Sequence, residues 1–180
     1  MAVLTRRMTA AEFMRMPDDG RKYELVDGEP KVVPAGIKHE VLVIHIGAML
    51  LPAAKGRGFV AGSSAGYHMV AYNIRSPDVS FTLKERFLNE LPPSGFADVC
   101  PDLCIEIISP SEEPADMARK VREYFALGAQ IVWQMFSETE TIKVYTSPDE
   151  FTLLTAQDEI DCLELLPGFR VVVSELFALE

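Results

Sequence analysis

The sequence predicts an α/β domain of mixed α+β type, with helices flanking one central sheet. Several β-favouring runs recur along the chain, and one amphipathic helical pattern stands among them. Hydrophobic residues make up 48% of the chain and charged residues 24%, a balance typical of a globular protein. This composition excludes the disordered, collagen-like and coiled-coil classes. Because 180 residues suffice for one full hydrophobic core, we expect a single domain over residues 1–180.

The N-terminal elements are predicted from capping and turn residues. Thr9 is followed three places later by Glu12, a capping box that begins a short helix ending before Pro17. Asp27-Gly28 then stands between two β-favouring runs, which predicts a tight β-hairpin. The hairpin strands are predicted at residues 22–26 and 29–33.

Residues 38–51 fit two patterns. Their β-branched residues favour a strand, whereas Val41, Ile44 and Ala48 fall on one face of a helix. The length of the segment favours the helix.

The second half of the chain alternates strands with one well-defined helix. Pro114 suits the first position of that helix and Gly128 its C-terminal cap, so a helix is predicted over residues 114–127. Its buried stripe is predicted to hold Met117, Val121, Tyr124 and Phe125. Strands are predicted at residues 75–83, 99–108, 130–136, 141–146 and 151–155, with a loop at 84–97 and a strand running into a terminal turn or helix at 171–179.

Charge and cysteine content limit the partners of the protein. The net charge of −10 argues against general coating of nucleic acid, although seven cationic side chains concentrate near the N-terminus. An odd number of cysteines suits a reducing compartment, so we expect a cytoplasmic protein. We find no signal peptide and no long uncharged apolar run, and expect no membrane partner. The seven cations are Arg6, Arg7, Arg15, Arg21, Lys22, Lys31 and Lys38.

Two acids on apolar segments are the first candidates for a functional site. Asp78 follows Ser76-Pro77, and Glu106 lies among isoleucines on a strand of buried character. A buried carboxylate is costly unless it is paired, hydrogen-bonded or bound to a cation. Glu106 on a solvent-facing edge strand and Asp78 at a plain strand start are the alternatives. Together the pair suits a divalent cation such as Mg²⁺ or Mn²⁺, and without it the two acids should repel each other.

These residues bring the chain to a known family, because it resembles the Uma-two (Uma2) putative restriction endonuclease family of the PD-(D/E)XK nuclease superfamily. The resemblance runs from about Thr9 to the C-terminus and depends on the order and spacing of several motifs. They are residues 23–29 (YELVDGE), His39 at the start of a helix, residues 76–81 (SPDVSF), residues 101–103 (PDL), residues 106–111 (EIISPS), and Lys120 and Tyr124 ahead of Gly128 and Trp133.

The resemblance implies a restriction-endonuclease-like core with Asp78 and Glu106 as metal-binding acids. The superfamily places a lysine two positions after the second acid, where this chain has Ile108. In the family this lysine is relocated to the following helix, and Lys120 stands there. Glu24 matches an early family acid that completes the metal site or orients a water. His39 is either a polar group near the cleft or a helix cap.

Helical geometry independently allows Lys120 this position. At about 100° per residue, Lys120 lies about 40° from Tyr124, at the margin of the predicted stripe. Its stem can follow apolar surface and bring the ammonium to the acids, whereas Arg119 turns further away. A solvated helix lysine is the alternative for Lys120.

Two functions follow as alternatives. The first is a metal-dependent endonuclease that hydrolyses DNA through Asp78, Glu106, Lys120 and Glu24, with Mg²⁺ or Mn²⁺ as cofactor. The second is a non-catalytic interaction or DNA-binding module that retains the nuclease fold, which the acidic charge favours. A homodimer is also expected, from the resemblance and from the apolar tail at residues 171–177.

Overall fold

The computed structural model describes residues 6–33, 36–69, 72–88, 90–110, 112–162 and 164–179. Within them the chain folds into a mixed α+β structure. The helices are α1 (Ala10–Phe13), α2 (Ile37–Ala54), α3 (Pro114–Ala126) and α4 (Val173–Phe177). The strands are β1 (Tyr23–Val26), β2 (Glu29–Val32), β3 (Gly58–Gly62), β4 (Tyr67–His68), β5 (Ile74–Arg75), β6 (Val79–Leu83), β7 (Leu103–Ile108), β8 (Ile131–Phe136), β9 (Thr141–Tyr145), β10 (Phe151–Leu154), β11 (Glu159–Asp161) and β12 (Arg170–Val172).

A six-stranded mixed sheet forms the centre, in the order β10-β9-β8-β7-β6-β3. Strands β7 and β8 run parallel and are connected through α3, while the other neighbours in this sheet pair antiparallel. The N-terminal strands form a second sheet in the order β2-β1-β5-β4, and β11 pairs with β12. The predicted central sheet with flanking helices is therefore confirmed.

Helix α2 covers one face of the central sheet. Leu42, Ile46 and Leu50 are buried in the main apolar core together with Trp133 on β8. By length and composition alone, α2 also passes as a helix able to cross a membrane, as core helices of folded domains often do. In this structure one side of α2 is packed on the sheet and the other is exposed.

Most local predictions are confirmed. The Thr9 capping box begins α1, and β1 and β2 form the hairpin with Asp27 and Gly28 at φ values of 53° and 80°, as a tight hairpin turn requires. Residues 38–51 are helical, and Pro114 and Gly128 bound α3 as predicted. The buried stripe of α3 is narrower than predicted, because Met117 and Phe125 are only partly buried.

The single strand predicted at residues 75–83 is wrong. Arg75 ends β5 in the N-terminal sheet, and Val79 begins β6 in the central sheet. Pro77 lies between them and has no N–H to donate to a strand ladder, which accounts for the break. Strand β7 begins only at Leu103, and β11 was not anticipated. The break places Asp78 where the two sheets meet.

Candidate active site

Where the two sheets meet, side chains from both line a cleft of about 300 Å³. Strands β1 and β2 contribute one wall, the start of α2 and the β5–β6 junction another, and β7 and α3 the third. Its described lining includes six acids and five lysines or arginines, so the cleft is close to neutral in a strongly acidic chain. The lining charged residues are Lys22, Glu24, Lys31, Arg75, Asp78, Glu106, Glu112, Glu113, Asp116, Arg119 and Lys120, together with His39.

Asp78 is buried at the head of β6 and is held as an ion. Its Oδ2 accepts a 2.8 Å hydrogen bond from the Ile107 amide of β7 and lies 3.2 Å from His39 Nε2. Its Oδ1 lies 3.7 Å from the Lys22 ammonium. Burial alone would raise the pKa of Asp78, but the contacts with His39, Lys22 and the amide outweigh it and lower this pKa.

Glu106 lies on β7 beside the amide that holds Asp78, and it is also buried. Its Oε2 accepts a 2.7 Å hydrogen bond from Lys120 Nζ, and its Oε1 accepts a 2.5 Å hydrogen bond from the Tyr124 hydroxyl. Burial raises the pKa of Glu106 to about 7 against the opposing charge of Lys120, and the negative charges of Asp78 and Glu24 add to the increase. This carboxyl therefore takes up a proton much more readily than an ordinary glutamate.

Lys120 is brought to the site by α3, as the family resemblance implied and helical geometry allowed. Its side chain is 13% exposed, and its ammonium also lies 3.6 Å from Glu112. Burial by itself would lower the pKa of Lys120, but the charges of Glu106, Glu24 and Glu112 raise it overall. Lys120 is therefore a fixed cation rather than a proton acceptor at neutral pH in this arrangement.

Glu24 is also in the cleft, but both of its oxygens already accept hydrogen bonds. Arg75 donates from Nη1 over 3.0 Å to one oxygen, and the Ser76 amide donates over 3.0 Å to the other. The guanidinium of Arg75 also donates from Nε to Glu123 on α3 over 2.7 Å, and Asn73 donates to that same carboxylate over 3.0 Å. Arg75 thus connects β1 to α3 through one buried side chain, a link that no local sequence signal indicates.

Three further features noted in the sequence are His39, Asp102 of the PDL motif, and the cysteines. His39 lines the cleft, which agrees with the first of its two alternatives. Asp102 does not line it, and is instead a structural anchor that accepts hydrogen bonds from Arg86, Gln130 and the Leu83 amide. The three cysteines are unpaired and buried.

The donor set of the cleft suits a hard divalent cation. Asp78 and Glu106 present carboxylate oxygens from adjacent strands, and Mg²⁺ is commonly held by one or two carboxylates and several waters. Burial is the main cause of the raised pKa of Glu106, with a smaller contribution from the negative charges of Asp78 and Glu24, and a bound cation would stabilise the ionised carboxylate. Among the described residues no group of three or more His, Cys, Asp or Glu side chains is arranged to hold a metal ion, so these two acids would need water or main-chain oxygens beside them.

Comparison with known proteins agrees with this architecture. The sequence profile of the Uma2 family, described as putative restriction endonuclease, matches residues 10–175. A crystal structure of a putative nuclease of the DUF820 group from Anabaena variabilis superimposes with a TM-score of 0.84 at 18% identity, covering 96% of this chain and 98% of that one. At this identity the likeness shows the fold. No curated protein matches the chain.

Proposed function

This chain belongs to the Uma2 family of putative restriction endonucleases, and from that membership we propose that it is a metal-dependent endonuclease that hydrolyses DNA phosphodiester bonds. The observation that carries the proposal is the meeting of Asp78, Glu106 and Lys120 in one cleft. The three come from the β5–β6 junction, β7 and α3. Two carboxylates and a lysine in this relation are suited to phosphodiester hydrolysis.

In the proposed reaction the two acids hold the cation. A bound Mg²⁺ or Mn²⁺ would supply neutralisation of phosphoryl charge and a water of lowered pKa. Asp78 is ready as an anion, since its pKa is lowered, whereas burial raises the pKa of Glu106 to about 7, so its readiness to hold the cation depends on pH near neutrality. Lys120, held beside Glu106, would orient the attacking water and stabilise negative charge on the phosphate.

Glu24 is assigned to positioning rather than to the metal. Arg75 and the Ser76 amide each donate a hydrogen bond to one oxygen of Glu24, which fixes the orientation of this carboxylate. Each oxygen has a second lone pair, so the carboxylate can still accept a hydrogen bond from a water. Of the two roles predicted for this residue, orientation of a water is therefore the one that its contacts favour.

A second candidate function is a non-catalytic module that retains the nuclease fold. The observation in its favour is the net charge of −10, which disfavours tight binding of a polyanion. The charge of the cleft itself is close to neutral, so DNA is repelled less there than the net charge of the whole chain suggests, although the rest of the surface still repels it.

We also propose that the protein forms a homodimer, through an apolar surface on α2. The tail at residues 171–177 was expected to support dimerisation, but Val173 and Leu176 are buried in the protein's own core. The exposed apolar side chains lie instead along α2. Ile37, Val41, Ile44 and Leu51 are 87%, 44%, 71% and 55% exposed, and we call them the α2 face.

A cleavage assay tests the proposed function. Plasmid and single-stranded DNA are incubated with the protein and either Mg²⁺ or Mn²⁺, beside the Glu106→Gln variant. The nuclease predicts nicking or degradation by the wild type that requires the metal and is lost in the variant. A wild type that binds DNA but cleaves neither substrate under any of these conditions would favour the non-catalytic module.

A further inference from the structure

Lys22 is a second lysine of the cleft, and it sits beside the other acid. It immediately precedes β1, and its side chain is 18% exposed. Its ammonium lies 3.7 Å from Asp78 Oδ1 and donates to the Ser76 carbonyl oxygen over 3.4 Å. Each of the two proposed metal-binding acids therefore has its own lysine, Lys22 at Asp78 and Lys120 at Glu106.

The two lysines are held very differently. Lys120 makes a 2.7 Å hydrogen bond to Glu106, whereas both contacts of Lys22 are at the long end of their kind. An ammonium has three donors, so Lys22 keeps hydrogen-bonding capacity for a further acceptor. Of the two cations, Lys22 is the one that can move to a new anion at little cost.

Any further anion bound by Lys22 would lie near Asp78, because the Lys22 ammonium is 3.7 Å from Asp78 Oδ1. The Oδ2 of Asp78 is occupied by the Ile107 amide and by His39, and Lys22 faces Oδ1. A divalent cation held by Asp78 would compete with the ammonium for this carboxylate, because both carry positive charge. An ammonium displaced from Asp78 would need another anion, and a non-bridging phosphate oxygen of a bound nucleic acid would suit it.

We propose that Lys22 is a phosphate-binding residue of this site, which contacts a non-bridging oxygen of the bound nucleic acid and competes with the divalent metal for Asp78. This inference rests on the proposed function and adds a residue to it. It makes an unusual prediction, because removing the Lys22 charge should affect metal binding and DNA binding in different directions.

The test compares Lys22→Met with the wild type in two binding measurements. Calorimetry with Mn²⁺ in the absence of DNA should give a higher affinity for the variant than for the wild type, because the competing ammonium is gone. Fluorescence anisotropy with a short labelled DNA duplex in Ca²⁺ should give an affinity lower by about tenfold. The slope of log affinity against log salt should fall by about one, as expected for one lost phosphate contact.

Two further variants complete the design. Lys38→Met removes an exposed N-terminal lysine that does not line the cleft, and should change neither affinity. Lys22→Arg keeps the charge, and should restore most of the DNA affinity.

The outcomes separate this inference from the proposal beneath it. A wild type that binds both Mn²⁺ and DNA, with Lys22→Met unchanged in DNA affinity and salt slope, overturns the role of Lys22 alone. A variant in which both affinities fall together points to a structural role, and overturns it as well. A wild type that binds neither ligand overturns the proposed function, and the role of Lys22 with it.

Discussion

Glu106 on β7 and Lys120 on α3 are joined by a 2.7 Å hydrogen bond across fourteen positions of sequence. The contact exists because α3 crosses back over the sheet between the parallel strands β7 and β8. Ile108, which stands where the superfamily has its lysine, is buried at the end of β7. The cation is thus supplied from a helix to the acid on the preceding strand.

Replacement of Lys120 by Met should abolish cleavage and leave the affinity for the metal nearly unchanged. The variant keeps the apolar stem and removes the ammonium, so we expect the cleavage rate to fall by about 100-fold or more. Mn²⁺ affinity at pH 8 should change by no more than about threefold, since the carboxylates remain. Plasmid nicking and Mn²⁺ calorimetry give the two quantities.

Arg119→Met is the matched control for Lys120. Arg119 pairs with Asp27 and Asp116 rather than with Asp78 or Glu106. Its loss should leave the cleavage rate within about twofold, because exposed ion pairs contribute little. Rapid cleavage by Lys120→Met, or an equal loss in both variants, would remove Lys120 from the proposed mechanism.

The raised pKa of Glu106 predicts a specific dependence of stability on pH. Between the ordinary value of 4.5 and the folded value of about 7, the folded state holds a proton that the unfolded state has released. Stability from this group is therefore present below pH 4.5 and decreases as the pH rises to about 7. At 1.36 kcal/mol per pH unit, the loss is about 3 kcal/mol.

Glu106→Gln should lack this component of the pH dependence. In chelator, the free energy of unfolding of the variant relative to the wild type should increase by about 3 kcal/mol between pH 4.5 and pH 8. Urea unfolding at several pH values measures it. Asp78→Asn provides the contrast, because the pKa of Asp78 is lowered and its contribution is lost as the pH falls. The same trend in both variants would contradict the assignment.

The sequence alone was sufficient to predict those elements that depend on neighbouring residues, such as turns and helix ends. The hairpin at Asp27-Gly28 depends on a turn that needs positive φ at both residues, and α3 depends on Pro114 and Gly128. These predictions need only short-range geometry, which a single sequence contains. The role of Lys120 was implied by the family resemblance, and helical periodicity indicated only that its side chain can reach the sheet.

The surroundings of the acids could not be predicted in the same way. The expected repulsion is present, since the charge of Asp78 helps to raise the pKa of Glu106, but burial is the larger cause of that increase, and contacts with His39 and Lys22 lower the pKa of Asp78 itself. Lys22 and Asp78 come from different sheets, so their contact depends on how the sheets meet. Likewise, Arg75 meets Glu24 across fifty-one positions, and no periodicity encodes that separation.

Arg75 should be one of the most sensitive positions for stability. It is 2% exposed and hydrogen-bonds to Glu24 and Glu123, so Arg75→Met leaves one buried and one partly buried carboxylate without their cation. We expect a loss of about 3–5 kcal/mol in the free energy of unfolding, measured with urea.

Arg170→Met is the control, since the ion pairs of Arg170 with Glu159 and Asp161 are largely exposed. Removing this guanidinium should lower the free energy of unfolding by about 0.5 kcal/mol or less. Equal effects in both variants would show that the Arg75 network contributes no special stability.

The α2 face makes the proposed homodimer testable with one substitution. Ile37, Val41 and Ile44 line a groove of about 660 Å³ beside Ala178 and Leu179, and they form a larger apolar surface than scattered exposed residues would.

The substitution Ile44→Glu places a charge in the middle of this surface. The fold should tolerate it, because Ile44 is 71% exposed. Light scattering should give about twice the 20.0 kDa chain mass for the wild type, and the chain mass itself for the variant. Leu91→Glu, at a leucine outside α2 that is 81% exposed, should remain dimeric. A wild type that stays at the chain mass across micromolar concentrations excludes the dimer, and a dimeric Ile44→Glu moves the interface away from α2.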